Sequence, residues 1–347
     1  MQISCSKEKR VMASVLFADP KTAADFAWIE KLEAAHGLKL LAPADDQPHA
    51  LAALLPQAHV LITQSAAISA AQIAAAPHLR LIQHYGRRAD AIDRAAARQA
   101  GITVAAMPLH GCIAVAELAM TLLLSLSKNL VKAHDATVRG AYRETGVEPI
   151  KTEQRKHKFQ WMQMQGQMFE VVGKTLGIIG YGEIGSETAR RAQAFGMQVL
   201  YNKRTRLAPS VEAGEGIAFA EKADLLRQSD FVLLSTPLTA ETEKMIGADE
   251  LALMKPSAFL INICRGGVVD EIALVAALER HQIAGAGLDV FVYEPIPHDH
   301  PLLRCDNVIL TPHIGGGTGG ARDRQMNDVL ENVQRFVRGE PVLYPVG

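Results

Sequence analysis

Three side chains in the second half of the chain suit proton transfer on a substrate held by its carboxylate: Arg265 after the apolar run AFLINI, Glu294 after AGAGLDV, and His313 after NVILT. If those runs are parallel strands, all three residues stand at the carboxyl edge of one sheet, where open α/β sheets bind their ligands. A guanidinium grips a carboxylate with two parallel hydrogen bonds. An imidazole, with a free-solution pKa of about 6.5, exchanges protons near neutral pH. A carboxylate on its second nitrogen fixes the tautomer and raises its basicity. His36, His78, His281, His298 and His300 lie in stretches that read as helix surfaces or loops. The run His298-Asp299-His300 is bracketed by Pro297 and Pro301, as in a turn, with no other ligand nearby in sequence, so no metal site is expected.

A second constellation concerns phosphate. In TLGIIGYGEIGSETARRAQAFGMQVLY, Gly180, Gly182 and Gly185 form GxGxxG between a strand pattern and a helix pattern, with a further strand behind. Gly180 permits the tight turn, Gly182 lets the backbone approach a pyrophosphate, and Gly185 allows helix and strand to pack closely. The helix N-terminus presents unsatisfied N–H groups to the phosphates. A dinucleotide site is the reading. About 20 residues further on, an acidic residue would hold the ribose hydroxyls of NAD. Here stand Tyr201-Asn202-Lys203-Arg204-Thr205-Arg206. The missing carboxylate and the cations Lys203, Arg204 and Arg206, beside Asn202, point to the 2'-phosphate of NADP(H). The other reading is a solvated cluster of charges after a strand.

The elements that must position these residues follow from periodicity. From Val11 to Val104 the runs VMASVLF, LKLLA, HVLIT, LRLIQ and ITVAA alternate with the Ala-rich helical stretches TAADFAWIEKLEAAH, ALAALLP, AAQIAAA and AIDRAAARQA. A second alternation begins at Thr175 with TLGIIG, MQVLYN, FVLLST, AFLINI, AGAGLDV and NVILT. Both predict doubly wound parallel sheets covered by helices, an α/β fold of two domains. The apolar stretch Val115 to Val131 is interrupted by Glu117, Ser125, Ser127, Lys128 and Asn129, which favours a buried helix over a membrane span. Residues 140–167 read as an exposed excursion, and Asn327 to Val337 as an amphipathic helix that could return to the first domain.

With 347 residues the chain exceeds a single core, and 36 basic against 37 acidic residues favour neither nucleic acid nor an anionic membrane as partner. Four scattered cysteines without a CxxC pair indicate neither a disulfide framework nor zinc, and fit a reducing, cytoplasmic setting. The N-terminal KEKRVMASVLFADP has too short an apolar stretch for a signal peptide and reads as a first strand.

GYGEIG, NICRGGVVDEIAL, GAGLDVFVYEP and NVILTPHIGG are similar, in order and spacing, to the signature blocks of the D-isomer-specific 2-hydroxyacid dehydrogenases. The resemblance covers nearly the whole chain and is strongest from Gly173 to Gly316. It implies a Rossmann cofactor domain (residues 108–313) inserted in a discontinuous, flavodoxin-like substrate domain (residues 1–107 and 314–347) that closes about hinges near Pro108 and Pro312. The implied activity is glyoxylate/hydroxypyruvate reductase-like: hydride transfer between NAD(P)H and a 2-keto acid/D-2-hydroxy acid pair. Arg265 would bind the carboxylate and polarise the keto oxygen. His313 would be the acid/base, with Glu294 as its partner. Glu183 and Ile184 would lie with the three glycines at the pyrophosphate, Pro237 and Thr242 on the adenosine side, and the Cys264 backbone and Asp289 near the nicotinamide, with Tyr181, Thr236, Gly315 and Gly316 as further cofactor contacts. A homodimer is implied as well.

Departures from the pattern leave the particular hydroxy acid open. The first-domain GxGxD block reads Gly86-Arg87-Arg88-Ala89-Asp90, and PGxNxxxVAE reads Pro108-Leu109-His110-Gly111-Cys112-Ile113-Ala114-Val115-Ala116-Glu117. Gly86, Arg87 and Arg88 are candidate substrate contacts: the arginines either serve a dicarboxylate or phosphorylated substrate or face away as surface cations. Formate dehydrogenases pair Gln with the histidine, so Glu294 argues against that relative. A non-catalytic, NAD(P)H-sensing binding protein on the same fold is the alternative.

Overall fold

The structure is a computed structural model that describes every residue except 1–12, 20–37, 44, 46, 65, 87, 88, 147–167, 318, 319 and 347. The helical stretch TAADFAWIEKLEAAH, the run KTEQRKHKFQWMQMQ, Arg87 and Arg88 therefore lie outside the described residues. The chain divides into two compact units, Met1–His110 with Gly320–Gly347, and Gly111–Gly319.

In the first unit β1 (Ser14–Phe17), β2 (Lys39–Leu41), β3 (Val60–Thr63), β4 (Leu81–Tyr85) and β5 (Thr103–Met107) form a parallel sheet in the order β2-β1-β3-β4-β5, the flavodoxin-like winding. Helices α1 (Pro48–Leu54), α2 (Ala70–Ala74) and α3 (Arg94–Gln99) connect them. Strands β1, β3 and β4 are buried at every position, which is why β1 and β3 read as mostly apolar runs rather than alternating ones, while β4 also buries Gln83 and His84. Each such Val, Leu or Ile contributes roughly 1.5–3 kcal/mol by leaving water. Ser69 and Gln72 form a capping box at α2, and Asp93 caps α3.

The tail belongs to this unit. Val329 and Val333 of the amphipathic helix, numbered α11 (Ala321–Arg338) in the whole chain, pack with Val15, Phe17, Leu81 and Met107. A last strand, β13 (Pro345–Val346), pairs antiparallel with β5. Sequence periodicity does not show this strand, because two residues carry no pattern.

The second unit opens with α4 (His110–Ser127) and α5 (Leu130–Arg139) and continues with the sheet strands β6 (Thr175–Ile179), β7 (Gln198–Asn202), β8 (Ala218–Phe219), β9 (Phe231–Leu234), β10 (Phe259–Asn262), β11 (Gly285–Leu288) and β12 (Val308–Leu310). Between strands lie α6 (Glu183–Ala194), α7 (Pro209–Glu215), α8 (Lys222–Gln228), α9 (Ala248–Leu253) and α10 (Glu271–Glu279). All pairings are parallel, in the order β12-β11-β10-β9-β6-β7-β8. Strand order reverses between β6 and β9, so a crevice opens there above the carboxyl ends. β8 is a seventh strand beyond the six apolar runs in the sequence. Helix α4 is long and apolar enough to cross a membrane, yet Ala119, Met120, Leu122 and Leu123 are buried in this unit's own core.

Candidate active site

The GxGxxG turn leaves β6 at the switch point, and each glycine has a distinct steric reason. Gly180 has φ +96°, and a Cβ there would come within 2.7 Å of the Ser235–Thr236 backbone at the end of β9. A Cβ on Gly185 would meet the Gly180 carbonyl at 2.8 Å, which would push α6 off the strand. At Gly182 a Cβ would meet no protein atom within 4 Å. Packing therefore does not demand that glycine, whereas a phosphate laid against the α6 N-terminus would. The Ser235 hydroxyl donates to the Gly180 carbonyl (2.7 Å) and ties the two strand ends together.

Beside the turn is a groove of about 540 Å³, lined by Gly180, Tyr181, Gly182, Asn202, Lys203, Arg204, Thr205, Thr236, Pro237 and Thr242, among others. The open backbone of the glycine turn and the cations beside it are chemically suited to a nicotinamide dinucleotide. The Tyr181 side chain is buried and donates to Glu215 (2.7 Å). The Asn202 amide donates to the Ala220 carbonyl (2.9 Å), and the Thr242 hydroxyl accepts from the Thr239 N–H (2.7 Å) and donates to the Pro237 carbonyl (2.6 Å), which closes the loop. Glu183 and Ile184 open α6.

Arg206 corrects the expectation that three cations face the phosphate. Its Nε and Nη2 each donate to Glu212 at 2.9 Å, and it is absent from the groove lining. Glu212 also accepts from the Tyr201 hydroxyl (2.6 Å), which in turn accepts from the Leu207 N–H (2.9 Å). Arg206 thus braces the loop that presents Lys203 and Arg204. Glu241 enters the lining instead, a carboxylate that sequence spacing did not reveal. It accepts from the Thr239 hydroxyl (2.7 Å), and this bond, reinforced by the charge of Arg204, lowers its carboxyl pKa.

The hydrogen bonds from Arg206, then Tyr201, bring the Glu212 carboxyl from an ordinary 4.5 down to about 2. A depressed carboxyl stabilises the fold above its unfolded-state value and loses that contribution as pH falls through its folded value. In thermal unfolding at pH 7, 5, 4 and 3, wild type should exceed Glu212→Gln by a margin that is constant from pH 7 to 5 and narrows below about 4.5. An unchanging margin would show that the charge of Glu212 contributes nothing.

Arg265, Glu294 and His313 emerge from the carboxyl ends of β10, β11 and β12, three adjacent strands. His313 Nδ1 meets Glu294 Oε2 at 2.6 Å, and Glu294 Oε1 accepts the Phe291 N–H at 3.1 Å. Partial burial would raise the Glu294 carboxyl pKa, but the His313 hydrogen bond, the Phe291 N–H and the charges of His313 and Arg265 outweigh it and lower it. Arg265 is exposed, and its Nη1 donates to the Cys264 carbonyl (2.6 Å). Asn262 accepts from the Cys264 N–H (3.1 Å) and donates to the Arg265 carbonyl (3.0 Å), bracing that turn from both sides. The Cys264 thiol is buried, which raises its pKa and leaves it inert.

A family model described as the D-isomer specific 2-hydroxyacid dehydrogenase NAD binding domain matches residues 120–315. The glyoxylate reductase of Thermococcus onnurineus is 42% identical over 266 residues, 77% of this chain and 75% of the relative. The chain belongs to the D-isomer-specific 2-hydroxyacid dehydrogenase family. Among solved structures, a glyoxylate reductase from Paecilomyes thermophila is 29% identical with a TM-score of 0.55, covering 96% of this chain and 98% of that one. An acyclic imino acid reductase in complex with NADPH and D-Arg is 26% identical, TM-score 0.53, with coverage of 96% and 100%.

In this dehydrogenase Asp289 is buried and organises the histidine loop. Its Oδ1 accepts from the Thr311 hydroxyl (2.7 Å) and the Ile314 N–H (2.9 Å), and its Oδ2 from the Gly315 N–H (2.9 Å). These bonds hold His313 at φ +53°, a left-handed conformation uncommon outside glycine. Gly315 is tightly packed, since its Cβ would stand 3.0 Å from Asp289 Oδ2, whereas Gly316 has no such neighbour. Gly86 lies at the end of β4, where its N–H donates to the Met107 carbonyl (2.6 Å). Among the described residues no group of His, Cys, Asp or Glu could hold a metal ion.

Proposed function

We propose that this dehydrogenase is an NADPH-preferring reductase of short 2-keto acids of the glyoxylate and hydroxypyruvate class, with His313 as the acid/base, Glu294 as its partner and Arg265 binding the carboxylate. Reduction of a 2-keto acid with a nicotinamide cofactor follows from the family and from relatives named glyoxylate reductase. The observation that supports the assigned roles is the 2.6 Å His313–Glu294 pair on the same sheet edge as Arg265. A bound nicotinamide supplies the hydride for the keto carbon. Arg265 holds the carboxylate and polarises the keto oxygen, and His313 Nε2 gives that oxygen its proton while Glu294 stabilises the imidazolium. The reverse direction returns the proton to His313.

NADPH preference is supported by Lys203 and Arg204 in the groove, and by the relative crystallised with NADPH. A homodimer through this unit is supported by α5, which buries no residue and exposes Leu130 (56%), Val131 (51%) and Val138 (71%). A cytoplasmic setting accords with the scattered thiols. Turnover of glyoxylate, hydroxypyruvate, pyruvate, phenylpyruvate and 2-ketoglutarate with NADPH and NADH tests the reading: glyoxylate and hydroxypyruvate should lead, and cofactor binding without turnover of any would replace the enzyme with a sensing protein.

A further inference from the structure

A second carboxylate–imidazole pair lies behind the catalytic loop. Glu271, the first residue of α10, meets His300 Nε2 through Oε2 at 3.2 Å, with side-chain exposures of only 14% and 17%. His300 Nδ1 accepts the Leu302 N–H (3.3 Å) and caps the short helical turn Pro301–Arg304. Since Nδ1 is an acceptor, Nε2 is the nitrogen on the Glu271 side of the ring. The other oxygen of Glu271 accepts the Val292 N–H at 3.0 Å. Two consecutive loop amides are therefore each held by a carboxylate: Phe291 by Glu294 and Val292 by Glu271. Gly266 completes the clamp, because a Cβ there would fall 2.0 Å from the Phe291 carbonyl carbon, so the Arg265 turn lies directly on the loop that carries Glu294.

We infer that Glu271 and His300 are positioning residues for the reaction: they hold the 291–294 loop in the register that sets Glu294 on His313. This rests on the proposed roles of those two residues. Neither Glu271 nor His300 meets the reacting atoms. Their effect passes through the loop backbone, and small displacements there are costly, since a shift of about 1 Å in a reacting geometry can lower the rate by about 100-fold.

The test is a double-mutant cycle read by steady-state kinetics with glyoxylate and by calorimetric cofactor binding. Glu271→Ala should lower kcat roughly 10- to 100-fold while KM and the cofactor Kd stay within about twofold. His300→Asn, whose side-chain oxygen can still cap Leu302, should lower kcat in the same direction by less. In a Glu294→Gln background both changes should have almost no further effect, because the group they position is already lost. Losses that multiply in that background, an unchanged kcat, or a loss confined to KM or cofactor Kd would overturn the inference. If Glu271→Ala does not fold, His300→Asn carries the same comparison. A Glu294→Gln enzyme with normal kcat would remove the assigned role of Glu294 itself, whereas a disabled Glu294→Gln beside an unaffected Glu271→Ala would remove only this inference.

Discussion

His313→Ala should reduce kcat for keto-acid reduction by roughly 10²- to 10⁴-fold, the usual contribution of a positioned acid/base. The side chain is 43% exposed, so its removal leaves no buried cavity, and the melting temperature should change little. Cofactor affinity should also persist, because the imidazole lies beyond β12 while the dinucleotide groove opens between β6 and β9. Calorimetry with NADPH, alongside stopped-flow measurement of hydride transfer, separates the two properties. A variant with near-normal turnover would place the proton elsewhere.

NADPH should exceed NADH in kcat/KM by roughly 10- to 100-fold. Lys203 and Arg204 line the groove, and one or two hydrogen bonds to a charged phosphate contribute about 1.5–3 kcal/mol each, with 1.4 kcal/mol equal to about a factor of ten. Two features hold the ratio below the sum of three cations. Arg206 is committed to Glu212, and Glu241 adds a negative charge to the same groove. Lys203→Asp should move the ratio toward NADH by repelling the 2'-phosphate and accepting from a ribose hydroxyl. Equal kcat/KM values for the two cofactors in the wild type would refute the preference. A ratio unmoved by Lys203→Asp would leave Arg204 as the phosphate contact.

The sequence by itself determined the two α/β sheets, the glycine turn and the three residues at the sheet edge. Each of these is encoded locally: a buried parallel strand is a short apolar run, a phosphate turn is three glycines at set spacing, and a strand end is the next few residues. The tertiary structure decided which side chains meet across loops. Arg206 follows Arg204 by two residues and has the same charge, yet register and the placement of α7 turn it onto Glu212. Glu241, from the loop after β9, reaches the groove only because β9 lies beside β6. Asp289 looks in sequence like any carboxylate ending a strand, and only parallel pairing of β11 with β12 brings the Thr311–Gly315 loop onto it. His300 stood in an apparent turn, where nothing local names its partner, and the tertiary fold gave it Glu271 from the start of α10. Periodicity records which face of an element is buried, while the partner of a polar side chain depends on register and loop closure between segments distant in the chain.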